Sequence, residues 1–404
     1  MKILIPTIGT RGDVQPFIAL TQGLIHAGHS VTLASHPVMK NLVESHGVNF
    51  APIGPDVDLE KETATIRQRT RNPMAALAET MRFSFNMLEL SHADILALCG
   101  QADLVVVPAA SAAGKNEADL LRLPYVSVSF MPWGISYDDP SRALPKRIAY
   151  GAIDALAGLI TTRPLNRARK RLGLPPVGKE GFTSQRLNLI PVSPAVFEPI
   201  PHWEACHQMV GYWFTELLED WRPPRELLDF LSNGAAPLLI SLGAMGMYSD
   251  QDLETPSLFV EAIQQAGLRA IVQGWEESLH RLSLPDTILA AGPLPHSWLL
   301  PHCVGAVHHG GFGTTAACLR AGVPALIIPH IADQFYWAQR VHELGAGPKP
   351  IRRTKLEATN LATALTELVE DNRLHEIASS LGEQIQTERG IENAVRLIDS
   401  VGCG

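Results

Sequence analysis

The sequence predicts an α/β protein built from two doubly wound parallel sheets, and three observations predict it. Short apolar runs alternate with helical patterns through the first half of the chain. The same rhythm restarts after a stretch around Trp221-Arg222-Pro223-Pro224. The strand runs are apolar throughout, not at every second residue, as expected of strands covered by helices on both faces.

In chain order, Lys2–Pro6 reads as a buried strand. Residues 16–27 read as a helix with Phe17, Leu20 and Leu24 on one face, closed by Gly28. Strands are expected at 31–35 and 48–53 around a helix at 38–46, then at 103–107 and 125–130 around a helical stretch at 112–122. The second half offers strands at 237–242, 269–273, 287–290, 305–308 and 325–329, with helices at 256–267, 315–321 and 334–344. Residues 390–401 form a last helical pattern, expected to fold back across the first domain. The expected boundaries are 1–211 for the first domain, 212–236 for a linker with a short helix, 237–385 for the second domain and 386–404 for the returning helix. Two such domains are expected to face each other across a cleft, with ligands at the carboxyl ends of the strands.

Composition narrows the class of function. The chain has 404 residues, enough for two ordinary domains, and 46% apolar against 18% charged residues mark it as core-rich. Lys and Arg number 33 against 41 Asp and Glu, and this acidic balance argues against a nucleic-acid partner. No apolar run approaches the roughly 18 residues of a membrane span. The opening MKILIPTIGT lacks the pattern of a secretory signal, so the expectation is a soluble, cytoplasmic enzyme. Five scattered cysteines without a C-x-x-C pair suit reduced thiols. Among 15 histidines none has a metal-ligand spacing, and the adjacent His308 and His309 would point to opposite faces of a strand. No metal site is expected.

The strongest chemical feature is His308-His309-Gly310-Gly311-Phe312-Gly313-Thr314-Thr315, between a strand and a helix. Glycines let a ligand approach the backbone, and the first N–H groups of a helix are donors aligned with its dipole. His309, Thr314 and Thr315 add side-chain donors. The group suits a pyrophosphate; the plainer alternative is a Gly-rich turn that binds nothing. Asp333-Gln334, 24 residues beyond His309, open the next helix and could either grip sugar hydroxyls or cap that helix. In the first domain, Thr7-Ile8-Gly9-Thr10-Arg11-Gly12-Asp13 is the first strand-to-helix loop. It lacks the spacing of a dinucleotide fingerprint and the lysine of a P-loop. Asp13 reads as a helix cap or as a general base whose basicity desolvation would raise. Gly243, in Ser241-Leu242-Gly243-Ala244-Met245-Gly246, could bring backbone near phosphates or merely turn the chain. Trp275 could line a base pocket or pack in the core. Residues 131–145, with Trp133 and Tyr137, and a helical pattern at 148–160 could wall an apolar acceptor, touch a membrane surface or pack between helices. The charged segment 56–72 reads as a loop over the cleft or a solvated surface.

Taken together, Gly9-Thr10-Arg11-Gly12-Asp13-Val14-Gln15-Pro16, the run 308–315 and Asp333-Gln334-Phe335-Tyr336-Trp337 resemble the signatures of inverting, nucleotide-sugar-dependent glycosyltransferases of the GT-B fold. The resemblance is to the sterol 3-beta-glucosyltransferase-like branch and its bacterial relatives acting on lipids, macrolides and glycopeptide aglycones. It extends to Val210-Gly211-Tyr212-Trp213 and Gly345-Ala346-Gly347-Pro348. It implies an acceptor-binding first domain and a donor-binding second one, with Asp13 as catalytic base. His309, the backbone of Gly311 and Gly313 and the hydroxyls of Thr314 and Thr315 would meet the donor phosphates. Asp333 and Gln334 would hold the sugar, Thr10 and Gly12 would line the donor from the first domain, and Pro295-His296-Ser297 would pair with the base. Ala317 stands where plant small-molecule relatives carry a ribose-binding glutamate, and Ala244 where relatives often carry serine.

The expected reaction is therefore transfer of a hexose, glucose from UDP-glucose first, onto a hydroxyl of an apolar small molecule such as a sterol, polyketide, flavonoid or lipid. No cofactor is expected beyond the nucleotide sugar. A dTDP-deoxysugar donor, a UDP-sugar epimerase and a non-catalytic binding protein of the same fold are the alternatives.

Overall fold

The computed structural model describes residues 1–58, 61–62, 65, 73–132, 162–178, 182–201, 203–218, 220–242, 253–330 and 333–402. The chain divides into two compact units, Met1–Thr215 with Glu388–Gly404, and Glu216–Thr387.

The first unit holds β1 (Lys2–Pro6), β2 (Ser30–Ser35), β3 (Phe50–Pro52), β4 (Leu104–Pro108), β5 (Tyr125–Val128), β6 (Asn188–Ile190) and β7 (His207–Met209). They form one parallel sheet in the order β3-β2-β1-β4-β5-β6-β7. Helices α1 (Arg11–His26), α2 (Lys40–Glu44), α3 (Pro73–Cys99) and α4 (Lys115–Leu121) connect the first five strands. The strand period of two decides what each face meets. Ile3 and Ile5 pack with Phe17, Leu20 and Leu24 of α1, whereas Leu4, Val105 and Val107 pack with Met87, Leu88 and Ile95 of α3.

The second unit holds β8 (Leu238–Ser241), β9 (Ala270–Gln273), β10 (Ile288–Ala291), β11 (Gly305–His308) and β12 (Ala325–Ile327), parallel in the order β10-β9-β8-β11-β12. Its helices are α5 (Arg225–Ser232), α6 (Glu254–Gln265), α7 (Glu276–His280), α8 (His296–Leu299), α9 (Phe312–Ala321), α10 (Gln334–Leu344), α11 (Ala358–Glu370) and α12 (Asn372–Gln386). Leu238 and Ile240 face Phe259 and Ile263 of α6 and Leu361 and Leu365 of α11, while Leu239 and Ile271 face Leu299, Leu300 and Cys318. A final helix, α13 (Gly390–Gly402), belongs to the first unit, where Ala394 and Ile398 join the core beside α1. Trp213 Nε1 donates to the Gly390 carbonyl at 3.2 Å, and its ring meets Phe17 edge-on.

The α/β class and the parallel sheets match the expectation, and several boundaries differ. Helix α1 starts at Arg11, five residues before the expected start at Pro16. A capping box between Thr10 and Asp13 starts the helix early, and it outweighs the one helical hydrogen bond that Pro16 removes. The helix expected at 38–46 is a 3-10 turn, Pro37–Met39, followed by the short α2. The long α3, the three-residue strands β6 and β7, and α11 and α12 were not anticipated. The helical pattern at 148–160, Trp133, Tyr137, Gly243 and Ala244 lie outside the described residues, as does most of 56–72. Among the described residues, no helix is long and apolar enough to cross a membrane.

Candidate active site

A doubly wound sheet leaves a crevice where the chain, having laid strands to one side, returns to lay them on the other. In the second unit that switch lies between β8 and β11. Register puts Ala291, Gln273, Ser241, His308 and Ile327 in one row across the five strands. The loops that follow this row carry Trp275, Pro295 to Ser297, the run 309–315 and Asp333. All the second-domain residues singled out from the sequence thus leave the same edge of one sheet, except Gly243, which is outside the described residues.

The turn after β11 is held by packing at several points. Gly310 sits at φ +88°, where L side chains are strained. A Cβ there would stand 2.7 Å from Ile327 Cγ2 and 3.1 Å from the Gln334 carbonyl oxygen, so the turn lies directly on β12 and the start of α10. His309 is buried, its imidazole lying against Gly311, and the rings of His308 and His309 stand nearly perpendicular. Gly311 caps α9, and Thr315 returns both its N–H (3.0 Å) and its hydroxyl (2.9 Å) to the Gly311 carbonyl. The N–H groups of Gly313 and Thr314 therefore precede the first helical hydrogen bond and have no acceptor within the helix. Gly313 is exposed and has open space over its Cα. This is an anion-binding arrangement.

Two of the expected donor-site residues make hydrogen bonds within their own loops. Thr315 is buried and its hydroxyl donates to the Gly311 carbonyl, which ties the turn together. Gln334 is also buried, and its Oε1 accepts the His330 N–H at 2.9 Å. Asp333 stands at the N-cap of α10 without a side-chain capping bond. Phe312 and Trp337 pack at 5.6 Å and so join the starts of α9 and α10.

Along the same edge, Trp275 caps α7 at φ +59°, an uncommon conformation for a bulky residue, and rests on Phe259 at 5.3 Å. Pro295 caps α8, His296 opens it and Ser297 is exposed. His296 Nε2 pairs with Gln273 Oε1 at 3.2 Å, and Gln273 Nε2 donates to the Gly292 carbonyl at 3.0 Å. Gln273, Ser241 and His308 were not proposed as site residues from the sequence. Their common signal there is a polar residue ending an otherwise apolar strand, and His308 also opens the Gly-rich run.

In the first unit the switch lies between β1 and β4, and the loop after β1 carries Thr10, Gly12 and Asp13. Asp13 occupies the third position of α1, and its Oδ2 accepts both the backbone N–H (2.7 Å) and the hydroxyl (3.0 Å) of Thr10. A Cβ on Gly9 would collide with the Asp13 carboxylate, so only glycine leaves room for this orientation. Asp13 is exposed, as are Arg11 and Gly12. Behind the loop after β4, Glu117 at the start of α4 is buried against His92 of α3, and that burial pushes its carboxyl up from the usual carboxylate range.

Two family descriptions match the chain. Residues 3–133 match the glycosyltransferase family 28 N-terminal domain, and residues 269–398 match the erythromycin biosynthesis protein CIII-like C-terminal domain. The sterol 3-beta-glucosyltransferases of Komagataella phaffii and Aspergillus oryzae are each 32% identical over 98% of this chain. The chain spans about a third of the length of these relatives, 34% and 30% respectively. Among solved structures, the glycosyltransferase SsfS6 of Streptomyces sp. SF2575 superposes with a TM-score of 0.67 at 24% identity, covering 99% of both chains. The calicheamicin glycosyltransferase CalG4 superposes with a TM-score of 0.73 at 21% identity, covering 99% of this chain and 98% of its own. With two parallel sheets, an N-terminal region matching the family 28 domain, a C-terminal region matching the CIII-like domain and superposition on SsfS6 and CalG4, the chain has the GT-B fold of these glycosyltransferases.

Proposed function

We propose that this chain transfers a hexose from a nucleoside diphosphate sugar, UDP-glucose first, to a hydroxyl of an apolar small molecule. The observation that carries the reading is the turn at 309–315, where glycines, a buried histidine and unsatisfied helix N–H groups converge at the switch of the second sheet. The donor's diphosphate binds to that turn, with Gly311, Gly313 and Thr314 supplying donors and His309 a further one. Asp333 takes the sugar hydroxyls, and Trp275 with the strand end at Pro295 to Ser297 takes the base. Thr10 and Gly12 line the donor from the first unit.

Asp13 accepts the proton of the acceptor hydroxyl as its oxygen bonds to the anomeric carbon. The bond from that carbon to the diphosphate breaks in the same step and the configuration inverts. Negative charge then grows on the leaving diphosphate, where the helix start of α9 and His309 stabilise it. The mechanism assigns no step to a metal, because the turn supplies these donors. The likeness to sterol 3-beta-glucosyltransferases supports glucose and a flat apolar alcohol. Structures of SsfS6 and VinC in complex with thymidine diphosphate favour dTDP-sugars as the second reading.

The test is a panel of UDP- and dTDP-sugars against sterols and polyketide aglycones, read by mass spectrometry. The unaltered chain should glycosylate an aglycone with an unchanged rate in EDTA. Asp13→Asn should keep UDP affinity within threefold and lose ~10²–10⁴-fold in rate, the range that a positioned general base contributes. Sugar conversion without any aglycone would establish an epimerase instead, and full turnover by Asp13→Asn would remove that residue from the mechanism.

A further inference from the structure

His308 is the last residue of β11, fully buried, one position before the histidine assigned to the phosphates. Its neighbours Ala306 and Val307 are apolar, as a central strand requires, so an imidazole here replaces a side chain that would cost nothing to bury. The ring has a specific contact: its Nδ1 lies 3.0 Å from the Gly310 N–H, and an N–H partner makes Nδ1 the acceptor. The proton of the neutral ring then sits on Nε2, a buried atom with no hydrogen-bond partner among the described residues. Burial, together with the neighbouring His309 and His296, holds the ring well below the usual histidine range, so it stays uncharged at neutral pH.

The contact has a consequence for the turn. The N–H that His308 takes is that of the peptide joining His309 to Gly310, so the ring fixes the plane of this peptide. That plane sets how His309 leaves the strand and how Gly310 reaches φ +88°. A charged ring, or the other tautomer, would point a proton at the Gly310 N–H and break the contact. An apolar side chain would leave a buried N–H unpaired.

We propose that His308 is a positioning residue of the donor site, its Nδ1 holding the Gly310 amide so that the 309–315 turn is shaped for a nucleoside diphosphate before one binds. This rests on the donor reading above but concerns a residue that reading leaves unused.

Two measurements test it. Long-range ¹H–¹⁵N spectra of the ligand-free chain, with His308 located by comparison with His308→Asn, should show an unprotonated Nδ1 at pH 7.5. A protonated Nδ1 would overturn the proposal without any ligand present. Calorimetric titration with UDP and dTDP should then separate two variants. His308→Asn, whose amide oxygen replaces Nδ1 as acceptor, should bind within threefold of the unaltered chain. His308→Leu should bind at least tenfold more weakly, and acceptor KM should stay within threefold in both. Equal nucleotide affinity for the Leu variant and the unaltered chain would overturn it, as would an Asn variant as weak as the Leu one. Failure of the unaltered chain to bind either nucleotide would instead remove the donor reading itself.

Discussion

The two switch points of this chain hold their functional groups in opposite ways. In the first unit the Asp13 carboxylate is exposed and is oriented by Thr10, three residues away, and by the absence of a side chain on Gly9. In the second unit His309 is buried, and its turn is fixed by residues distant in sequence, Ile327 on β12 and Gln334 on α10. A locally held carboxylate can be disturbed with little effect on folding. A turn packed against two other elements cannot, because displacing it displaces the core. The proposed roles follow the same division. A base must meet an alcohol and release its proton, whereas a diphosphate site gains from being formed in advance.

The sharpest way to break the comparison is Gly310→Ala. The new Cβ would meet Ile327 and the Gln334 carbonyl and would force alanine to φ +88°. Overpacking and left-handed strain together cost about 2–4 kcal/mol. Urea unfolding should show a loss of that order, with nucleotide affinity lost as well. A variant of unchanged stability would mean that the turn is not held by β12 and α10.

Gly9→Ala probes the first unit in the same way and should give the reverse result. Its Cβ would stand 2.5 Å from both the carboxyl carbon and the Cβ of Asp13, so the side chain must turn away and the exposed start of α1 must shift with it. Transfer should fall at least tenfold while the melting temperature moves by no more than about 4 °C, equivalent to roughly 1–2 kcal/mol or less for a protein of this size. UDP affinity should be unchanged. Stability and rate falling together would show that Asp13 is held by more than its own loop.

The same division explains what the sequence made legible. Strands such as Lys2–Pro6 and Gly305–His308 were visible because continuous apolar runs need no partner to be recognised. The strands β6 and β7 have three residues each, and β7 reads His-Gln-Met, so neither length nor pattern marks them; pairing with a neighbour defines them. Asp13 could be placed at a helix start because its constraint is local. Thr315 and Gln334 stand out in the sequence because both are polar and sit at loop-to-helix junctions. Their burial depends on which backbone atom lies within reach, Gly311 for one and His330 for the other, and spacing along the chain does not encode that. His308 reads as an uncommon strand residue until the Gly310 N–H is seen beside its Nδ1.

The smallest expected effect divides the Asp13 contacts from one another. Thr10→Ala removes the hydroxyl that donates to Asp13 Oδ2 at 3.0 Å but keeps the backbone N–H that donates at 2.7 Å. Loss of a side chain at a helix N-cap costs about 0.5–1 kcal/mol when part of the cap survives. The carboxylate should therefore stay aligned, and the rate should fall by no more than about fivefold, since 1 kcal/mol corresponds to about a factor of five. Thr10→Pro removes the backbone donor as well, and proline carries no N–H to replace it. If the N–H is what aims the carboxylate, the Pro variant should lose far more rate than the Ala variant, with circular dichroism showing α1 retained. If both variants lose equally, the hydroxyl is the aiming group, and Thr10 itself, beyond its peptide, belongs to the machinery of the first unit.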